Sequence, residues 1–245
     1  MPKSKIIKDA VEDAVSLDKS LYRLYVIAKD ISNEPLALWA ESELHGYQSK
    51  SDIPDYRKSV NLELMYTGFN GRTQIKNAPL PYGFLSKDTI ESITHIYAQE
   101  DIRSVEEMAQ SESSPRIDRT YLANEIYKES EGSLQCVAIY QVLPQAFFRS
   151  ILSQVKSKLI AALIKLEKEY GNLDGLGVDI SNLKQSYIDQ ANAELNKTVL
   201  NINVPTPAQA KEPWHSKLAW RIIVPIATAI IGAVAATAII RCTGM

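Results

Sequence analysis

The sequence predicts an α+β fold with a small N-terminal helical bundle and β-hairpin, a second α/β part with a long helix, and one C-terminal transmembrane helix. Apolar residues recur at helical spacing in residues 4–45 and 144–170. They alternate along residues 60–66 and dominate residues 134–142, as strands require. Residues 222–240 contain nineteen residues without a charge. We therefore expect an N-terminal domain over 1–110, a second soluble part over 111–204, a linker over 205–217 and a transmembrane helix over 218–241.

Three short helices are expected first. Ser16 or Asp18 can cap the second of them, and Ser32 or Asn33 can cap the third. Pro35 suits the first turn of that third helix, and Gly46 ends it. The three amphipathic helices predict a small bundle.

A hairpin and further helices follow. The alternation through residues 60–66 predicts a strand, the glycine-containing stretch 67–72 a turn, and residues 73–77 the return strand. Helices are expected from Ser86 and after Asp101. Beyond these lie a predicted strand over 134–142, a long helix from Pro144 to a stop at Gly171, a helix over 181–197 and a short strand over 199–204.

Composition excludes some functions. The formal charge is −2, and residues 211–245 hold four basic side chains and one acidic one. The remainder therefore has 23 basic and 28 acidic side chains, a charge of −5, so any polyanion must bind in a local groove. None of the three histidines has a partner at metal-ligand spacing, and no serine lies in a nucleophile elbow. We predict no catalytic residue, metal or cofactor.

The apolar run near the C-terminus predicts membrane insertion. Nineteen residues in a helix span about 28 Å, close to the hydrocarbon thickness of a bilayer. A buried helix in a soluble core is the alternative. Lys211, Lys217 and Arg221 precede the run and Arg241 follows it, so the positive-inside rule places the body in the cytoplasm.

Small residues inside the run predict contact between copies. Ala229, Gly232, Ala233 and Ala236 recur at spacings that allow two helix backbones to approach closely. We therefore expect a homo-oligomer in the lipid bilayer, although alanine and glycine are also simply tolerated in such segments.

Two groups of cations could bind a polyanion. The first combines an aromatic ring with the basic side chains of a chain corner and of the hairpin: Tyr56, Arg57, Lys58, Arg72 and Lys76. The second lies along the flank of the long helix and includes Lys158 and Lys165. Solvated edges without a function are the alternative for both.

Three stretches carry a family resemblance. Residues 33–47 (NEPLALWAESELHGY), 54–57 (PDYR) and 77–81 (NAPLP) together resemble the AbiTii domain of bacterial abortive-infection proteins over about residues 4–110. Pro35 departs from the usual residue of that family. The resemblance implies the fold and a role in phage defence, and it implies no catalytic residue.

An AbiTii-like body before one terminal apolar segment also resembles the membrane effector of Hailong-type defence systems. That likeness implies a ligand, a single-stranded DNA oligomer or similar nucleotide made by a partner nucleotidyltransferase, which holds the effector closed. It also implies a tetramer that depolarises the bacterial inner membrane through a pore when the ligand is lost. The principal alternative is an anchored scaffold that recruits a partner without conducting, and the least favoured alternative is an anchored nuclease or other enzyme.

Overall fold

The computed structural model describes residues 3–175, 178 and 180–201. Eight α-helices and six strands occupy these residues, together with three short 3-10 turns and one π-helical turn at residues 196–200. The helices are α1 (Lys5–Val11), α2 (Leu17–Asp30), α3 (Glu34–His45), α4 (Lys87–Thr94), α5 (Ile102–Gln110), α6 (Ala123–Glu129), α7 (Gln145–Tyr170) and α8 (Gln185–Leu195). The strands are β1 (Lys58–Val60), β2 (Leu64–Asn70), β3 (Thr73–Pro79), β4 (His95–Tyr97), β5 (Arg116–Asp118) and β6 (Leu134–Val142).

The main sheet is antiparallel and has the strand order β3-β2-β6-β5, and a separate two-stranded sheet pairs β1 with β4. The hairpin β2–β3 confirms the strand prediction, although its turn is shorter than the expected 67–72. A bulge interrupts the β2–β6 ladder at Thr67 and Gly68. A Cβ at Gly68 would lie 2.0 Å from the carbonyl oxygen of Gln135, so only glycine allows β6 to approach this closely.

Two hydrophobic clusters stabilise the body. The larger one surrounds α7, whose buried side chains pack against α1, α2, α3 and α5 and the end of the described chain. The smaller one lies between one face of the main sheet and helices α4 and α6. Leu64, Tyr66 and Ile139 supply the sheet side of this cluster, and Ile126 of α6 covers them.

Helix starts follow the capping residues that the sequence offers. The side chain of Asn33 accepts a hydrogen bond from the Leu36 amide, and Ser86 accepts one from Thr89. Asp101 accepts hydrogen bonds from the amides of Arg103 and Ser104, which satisfies two of the unpaired donors of a first helical turn. These caps confirm the predicted starts of α3, α4 and α5.

The end of the described chain differs from its prediction. Residues 196–200 form a π-helical turn that continues α8, where a strand over 199–204 was expected. Asn201, with φ of +59°, ends that turn in the left-handed conformation. The β-branched residues Thr198 and Val199 favoured the strand prediction, but packing of this segment on α7 overrides that weak preference.

The predicted fold class requires two corrections. A separate helical bundle with hairpin and a separate second α/β part do not exist, because β6 lies between β2 and β5 in one sheet. Among the described residues, no helix is long and apolar enough to cross a membrane, so the transmembrane element of the predicted class is wrong for the described fold. The segment predicted to form it, 218–241, lies outside the described residues together with the linker 205–217 and with Ala229, Gly232, Ala233 and Ala236.

Candidate functional site

A buried polar network connects α3 with the corner before β1. The side chain of Glu43, on the last turn of α3, accepts hydrogen bonds at Oε1 from the phenol of Tyr47 at 2.7 Å and from that of Tyr56 at 2.6 Å. The indole of Trp39 donates to the oxygen of Tyr56 at 2.8 Å. We call Trp39, Glu43, Tyr47, Tyr56 and Arg57 the motif network.

Arg57 supplies the positive charge of this network. Its Nε lies 3.2 Å from Oε2 of Glu43, and both side chains are fully buried. One terminal nitrogen donates to the backbone carbonyls of Ala98 and Glu100 at 3.2 and 2.8 Å. The guanidinium also lies over the ring of Tyr47, 5.1 Å from its centroid. The charge is therefore fully enclosed by partners.

Electrostatics raise the pKa of Arg57 and of the two phenols. Burial opposes the charge on Arg57, but the Glu43 carboxylate outweighs it and raises the pKa of the guanidinium. Burial, and then the charge of Glu43, raise the pKa of Tyr47 and Tyr56 above their usual range, so both phenols remain donors. Loss of one partner of such a pair leaves an uncompensated buried charge and costs about 3–5 kcal/mol.

Gly46 allows the network to close. Its φ is +83°, and a Cβ there would lie 2.7 Å from the carbonyl oxygen of Gln99. The next amide, that of Tyr47, donates to the same carbonyl at 2.8 Å, and the Gln99 side chain donates back to Tyr47 at 3.1 Å. Glycine is needed both for the backbone angle and for the close approach.

The predicted polyanion corner separates into two parts. Tyr56 and Arg57 belong to the motif network, so the buried Arg57 does not present its charge at the surface, contrary to its predicted ligand role. Lys58 is exposed and pairs with Asp55 at 2.8 Å. Arg72 and Lys76 are exposed on the hairpin. The structure thus does not bring the five residues together as one surface.

The two predicted lysines of α7 hold the last residues that the structure describes. Nζ of Lys158 donates to the carbonyl of Val199 at 2.6 Å, and Nζ of Lys165 donates to Thr198 at 2.7 Å and to the carbonyl of Glu194 at 3.2 Å. Carbonyls at a helix C-terminus attract cations. These ammonium groups therefore bind α8 and its π-helical turn, residues 185–200, which we call the exit segment.

Lys158 also joins the exit segment to the motif network. Its Nζ lies 5.8 Å from the ring centroid of Tyr56. Burial lowers the pKa of Lys158, while the charge of Glu43 acts in the opposite direction. At the other end of α3, the side-chain amide of Asn33 donates to the side-chain oxygen of Asn192 at 3.3 Å. The side-chain amide of Asn192 in turn donates to the backbone carbonyl of Ile31 at 2.9 Å. Both ends of α3 are thus coupled to the exit segment.

One buried group of the exit segment is unsatisfied. Asn196 is 2% exposed, and its side-chain oxygen accepts no hydrogen bond from the described residues. An orphaned buried acceptor costs about 1–3 kcal/mol. The exit segment is therefore held less completely than the motif network.

Two further features of the described residues were considered as sites, a metal centre and a cleft. No group of three His, Cys, Asp or Glu side chains within residues 3–175, 178 and 180–201 could hold a metal ion. A cleft of about 460 Å³ lies where α1, α2, α5 and α7 meet. Its charged rim is partly neutralised, because Lys156 pairs with Asp13 at 2.6 Å.

Sequence reasoning missed the central role of Glu43. A signal for it was present, because Leu36, Ala40, Glu43 and Leu44 share the buried face of α3. A carboxylate on an apolar helix face requires a buried partner. The arginine of the following PDYR corner was the nearest candidate, but its usual surface preference favoured the ligand interpretation.

Fold and site together define an α+β protein in which the motif of residues 33–57 builds a buried polar network. This network contacts the exit segment through Tyr56 and Lys158. The sequence profile of the AbiTii family matches residues 4–192, so the chain belongs to the AbiTii family, as the motifs predicted. The match extends well beyond residue 110, where the resemblance was expected to end, and stops inside α8. This membership supports a role in abortive infection, a form of antiviral defence. No curated protein and no solved structure matches the chain.

Proposed function

We propose that this AbiTii protein is a membrane effector of bacterial anti-phage defence. In this proposal its described body is a sensor located in the cytoplasm, and four copies assemble at the inner membrane. The apolar run 222–240 acts on the bilayer, where the assembly opens a pore and depolarises the membrane. A single-stranded DNA oligomer, or a similar nucleotide made by a partner nucleotidyltransferase, holds the assembly closed.

The observation that carries the proposal is the attachment of the exit segment. Lys158 and Lys165 bind its carbonyls to α7, and only about twenty residues separate Asn201 from the apolar run. A change in how this segment is held would therefore be transmitted along a short path to Ile222. The contact of Lys158 with Tyr56 extends the path to the motif network. In this proposal, the body controls its C-terminal region through the exit segment.

A charge placed in the apolar run tests the membrane action. We would express the full chain in bacteria without any partner protein and follow membrane potential with a voltage-sensitive dye. The unaltered chain should collapse the potential, and Ala233→Arg should not, because a buried arginine opposes insertion into lipid. The conservative change Ile231→Leu is the matched control and should remain as toxic as the unaltered chain.

The recruiting scaffold is the competing outcome. It requires that abundant, ligand-free full chain leave the membrane potential unchanged while defence against phage persists. Ligand occupancy is checked by the absorbance spectrum of the purified chain before and after nuclease treatment. If ligand-free protein does not depolarise cells, the effector proposal is wrong.

A further inference from the structure

In the part of the chain that the structure describes, one face of the main sheet carries partly or fully exposed aromatic rings and cations. Leu64 and Tyr66 of β2 point into the smaller hydrophobic cluster, so the alternating Met65 and Phe69 point to the opposite side. Tyr140 of β6 is the cross-strand partner of Met65 and therefore shares that side. Phe69 is 40% exposed, an unusual position for a phenylalanine.

The cations of this face come from three places. Lys76 of β3 is exposed and lies where the β2–β3 register shifts. It follows Ile75, which packs against the smaller cluster, so we place it on the opposite side with Gln74, the cross-strand partner of Phe69. Arg72 is exposed in the hairpin turn, three residues after Phe69. Arg116 of β5 stacks over the ring of Tyr140 at 5.9 Å. We call Phe69, Arg72, Lys76, Arg116 and Tyr140 the open face.

Two of these cations, Arg72 and Lys76, differ from the lysines described above in having no side-chain partner. Within the described part of the chain, the side chains of Arg72 and Lys76 make neither a hydrogen bond nor an ion pair. Lys58, Lys158 and Lys165, in contrast, are committed to carboxylate or carbonyl oxygens. The unpaired charges therefore remain available to a phosphate, even though residues 1–210 are acidic overall.

The acidic side chain of Asp118 reduces the positive charge at the opposite end of this surface. Asp118 is the cross-strand partner of Tyr140 and so lies on the same side of the sheet. Its carboxylate accepts a hydrogen bond from the amide of Thr120 at 2.7 Å. The strongest phosphate attraction is therefore expected at the end that carries Arg72 and Lys76.

We infer that the open face binds single-stranded nucleic acid, with bases stacked on Phe69 and Tyr140 and phosphates against Arg72, Lys76 and Arg116. Exposed aromatic rings on a sheet next to cations suit unpaired bases, because every base has a face that can stack. A duplex hides those faces. From the strand geometry the two rings lie about 14 Å apart, which suits several consecutive nucleotides. This inference rests on the proposed function and specifies where its ligand binds.

Equilibrium binding to the purified full chain tests the inference. The probe is a fluorescein-labelled deoxythymidine oligomer of about twelve nucleotides, within the range that single-strand binding surfaces cover. Phe69→Ala should weaken binding about fivefold or more through lost stacking. Phe69→Trp should retain it, since tryptophan also stacks. The double variant Arg72→Gln/Lys76→Gln should make the slope of log K against log salt shallower by about 1.4.

Matched controls lie on α6, which covers the other face of the sheet. Tyr127→Ala removes a half-exposed ring and Lys128→Gln removes an exposed cation, and both should bind as the unaltered chain does. Urea midpoints for all variants verify that the fold persists. If the unaltered chain binds tightly and both Phe69→Ala and the double variant Arg72→Gln/Lys76→Gln bind equally well, the oligomer does not bind at the open face. That outcome overturns this location but leaves the ligand class intact. If the unaltered, nucleic-acid-free chain does not bind the oligomer, the ligand part of the proposed function is wrong and the open face with it.

Discussion

The motif network and the exit segment differ in how completely their polar groups are satisfied. In the motif network, the carboxylate of Glu43 accepts hydrogen bonds from three side chains, and Arg57 is enclosed by carbonyls and a ring. In the exit segment, lysines reach across from α7, a π-helical turn replaces a regular end, and the buried oxygen of Asn196 is unpaired. The exit segment therefore has the less complete set of polar contacts, although Leu195 and Val199 anchor it in the larger hydrophobic cluster.

This contrast gives the family's most recognisable residues a structural role. Trp39, Gly46 and Tyr47 fix a corner that positions Tyr56, and Tyr56 lies against the lysine that holds the exit segment. A rigid element beside a weakly held one is the arrangement that a two-state switch requires. The predictions below test the two regions separately, beginning with the largest expected effect.

Breaking the buried ion pair should have the largest effect. Arg57→Met leaves the Glu43 carboxylate buried without its counter-charge, so the free energy of unfolding should fall by about 3–5 kcal/mol. Urea denaturation followed by tryptophan fluorescence measures this. The neighbouring Lys58→Gln removes only an exposed pair with Asp55 and should leave the urea midpoint unchanged. Equal midpoints for the two variants would contradict the rigid character of the motif network.

Releasing the exit segment should have a smaller and more local effect. Lys158→Met removes the donor to the carbonyl of Val199, a charged hydrogen bond of about 1.5–3 kcal/mol. Hydrogen exchange of amides within residues 185–200 should accelerate about tenfold or more, while amides of α3 keep their protection. Lys168→Met, an exposed lysine of the same helix, is the control and should change neither region. Uniform acceleration across the body would show that the exit segment does not open independently.

The third prediction concerns the N-terminus, which lies outside both regions and serves as a reference for the comparison. Hydrogen bonds from Lys3 and Ser4 lower the pKa of Glu167, near the end of α7, to about 2. The folded-state pKa lies below the ordinary value of 4.5, so the stabilisation is present above about pH 4.5 and is lost as pH falls towards 2. Glu167→Gln should therefore reduce the loss of urea midpoint between about pH 6 and pH 3. The exposed Glu91→Gln should leave that pH dependence as it is in the unaltered chain.

Local structure could be predicted from the sequence where periodicity and capping residues agree. The strand Leu134–Val142, the stop of α7 at Gly171 and the caps of α4 and α5 follow directly from such patterns. The pairing of β2 with β6 could not be predicted, because residues some seventy positions apart choose each other through the core. The burial of Arg57 was missed for a different reason, because its partner Glu43 is only fourteen positions away but arginine usually lies at the surface.

The candidate site was predictable only as a set of charges. The spacing of Lys158 and Lys165 correctly placed both lysines along one side of α7, yet nothing in the sequence showed that carbonyls of residues 194 and 199 would reach them. Arg72 and Lys76 were named, whereas Phe69 and Tyr140 were not. The alternation along β2 and β6 is the signal that could have identified these two rings, since both occupy outward positions of the strands, where Phe69 is exposed and Tyr140 is partly buried.

The position of β6 between β2 and β5 also sets an order of events during synthesis. The hairpin leaves the ribosome early, but its central partner arrives only when Val142 has emerged. Eighty further residues separate Val142 from Ile222, which at 5–20 residues per second takes about 4–16 s. Small α+β domains fold within milliseconds to seconds. The newborn body can thus close around its long helix before the apolar run is synthesised. Under the proposed function, the body is therefore folded before the segment that acts on the membrane exists.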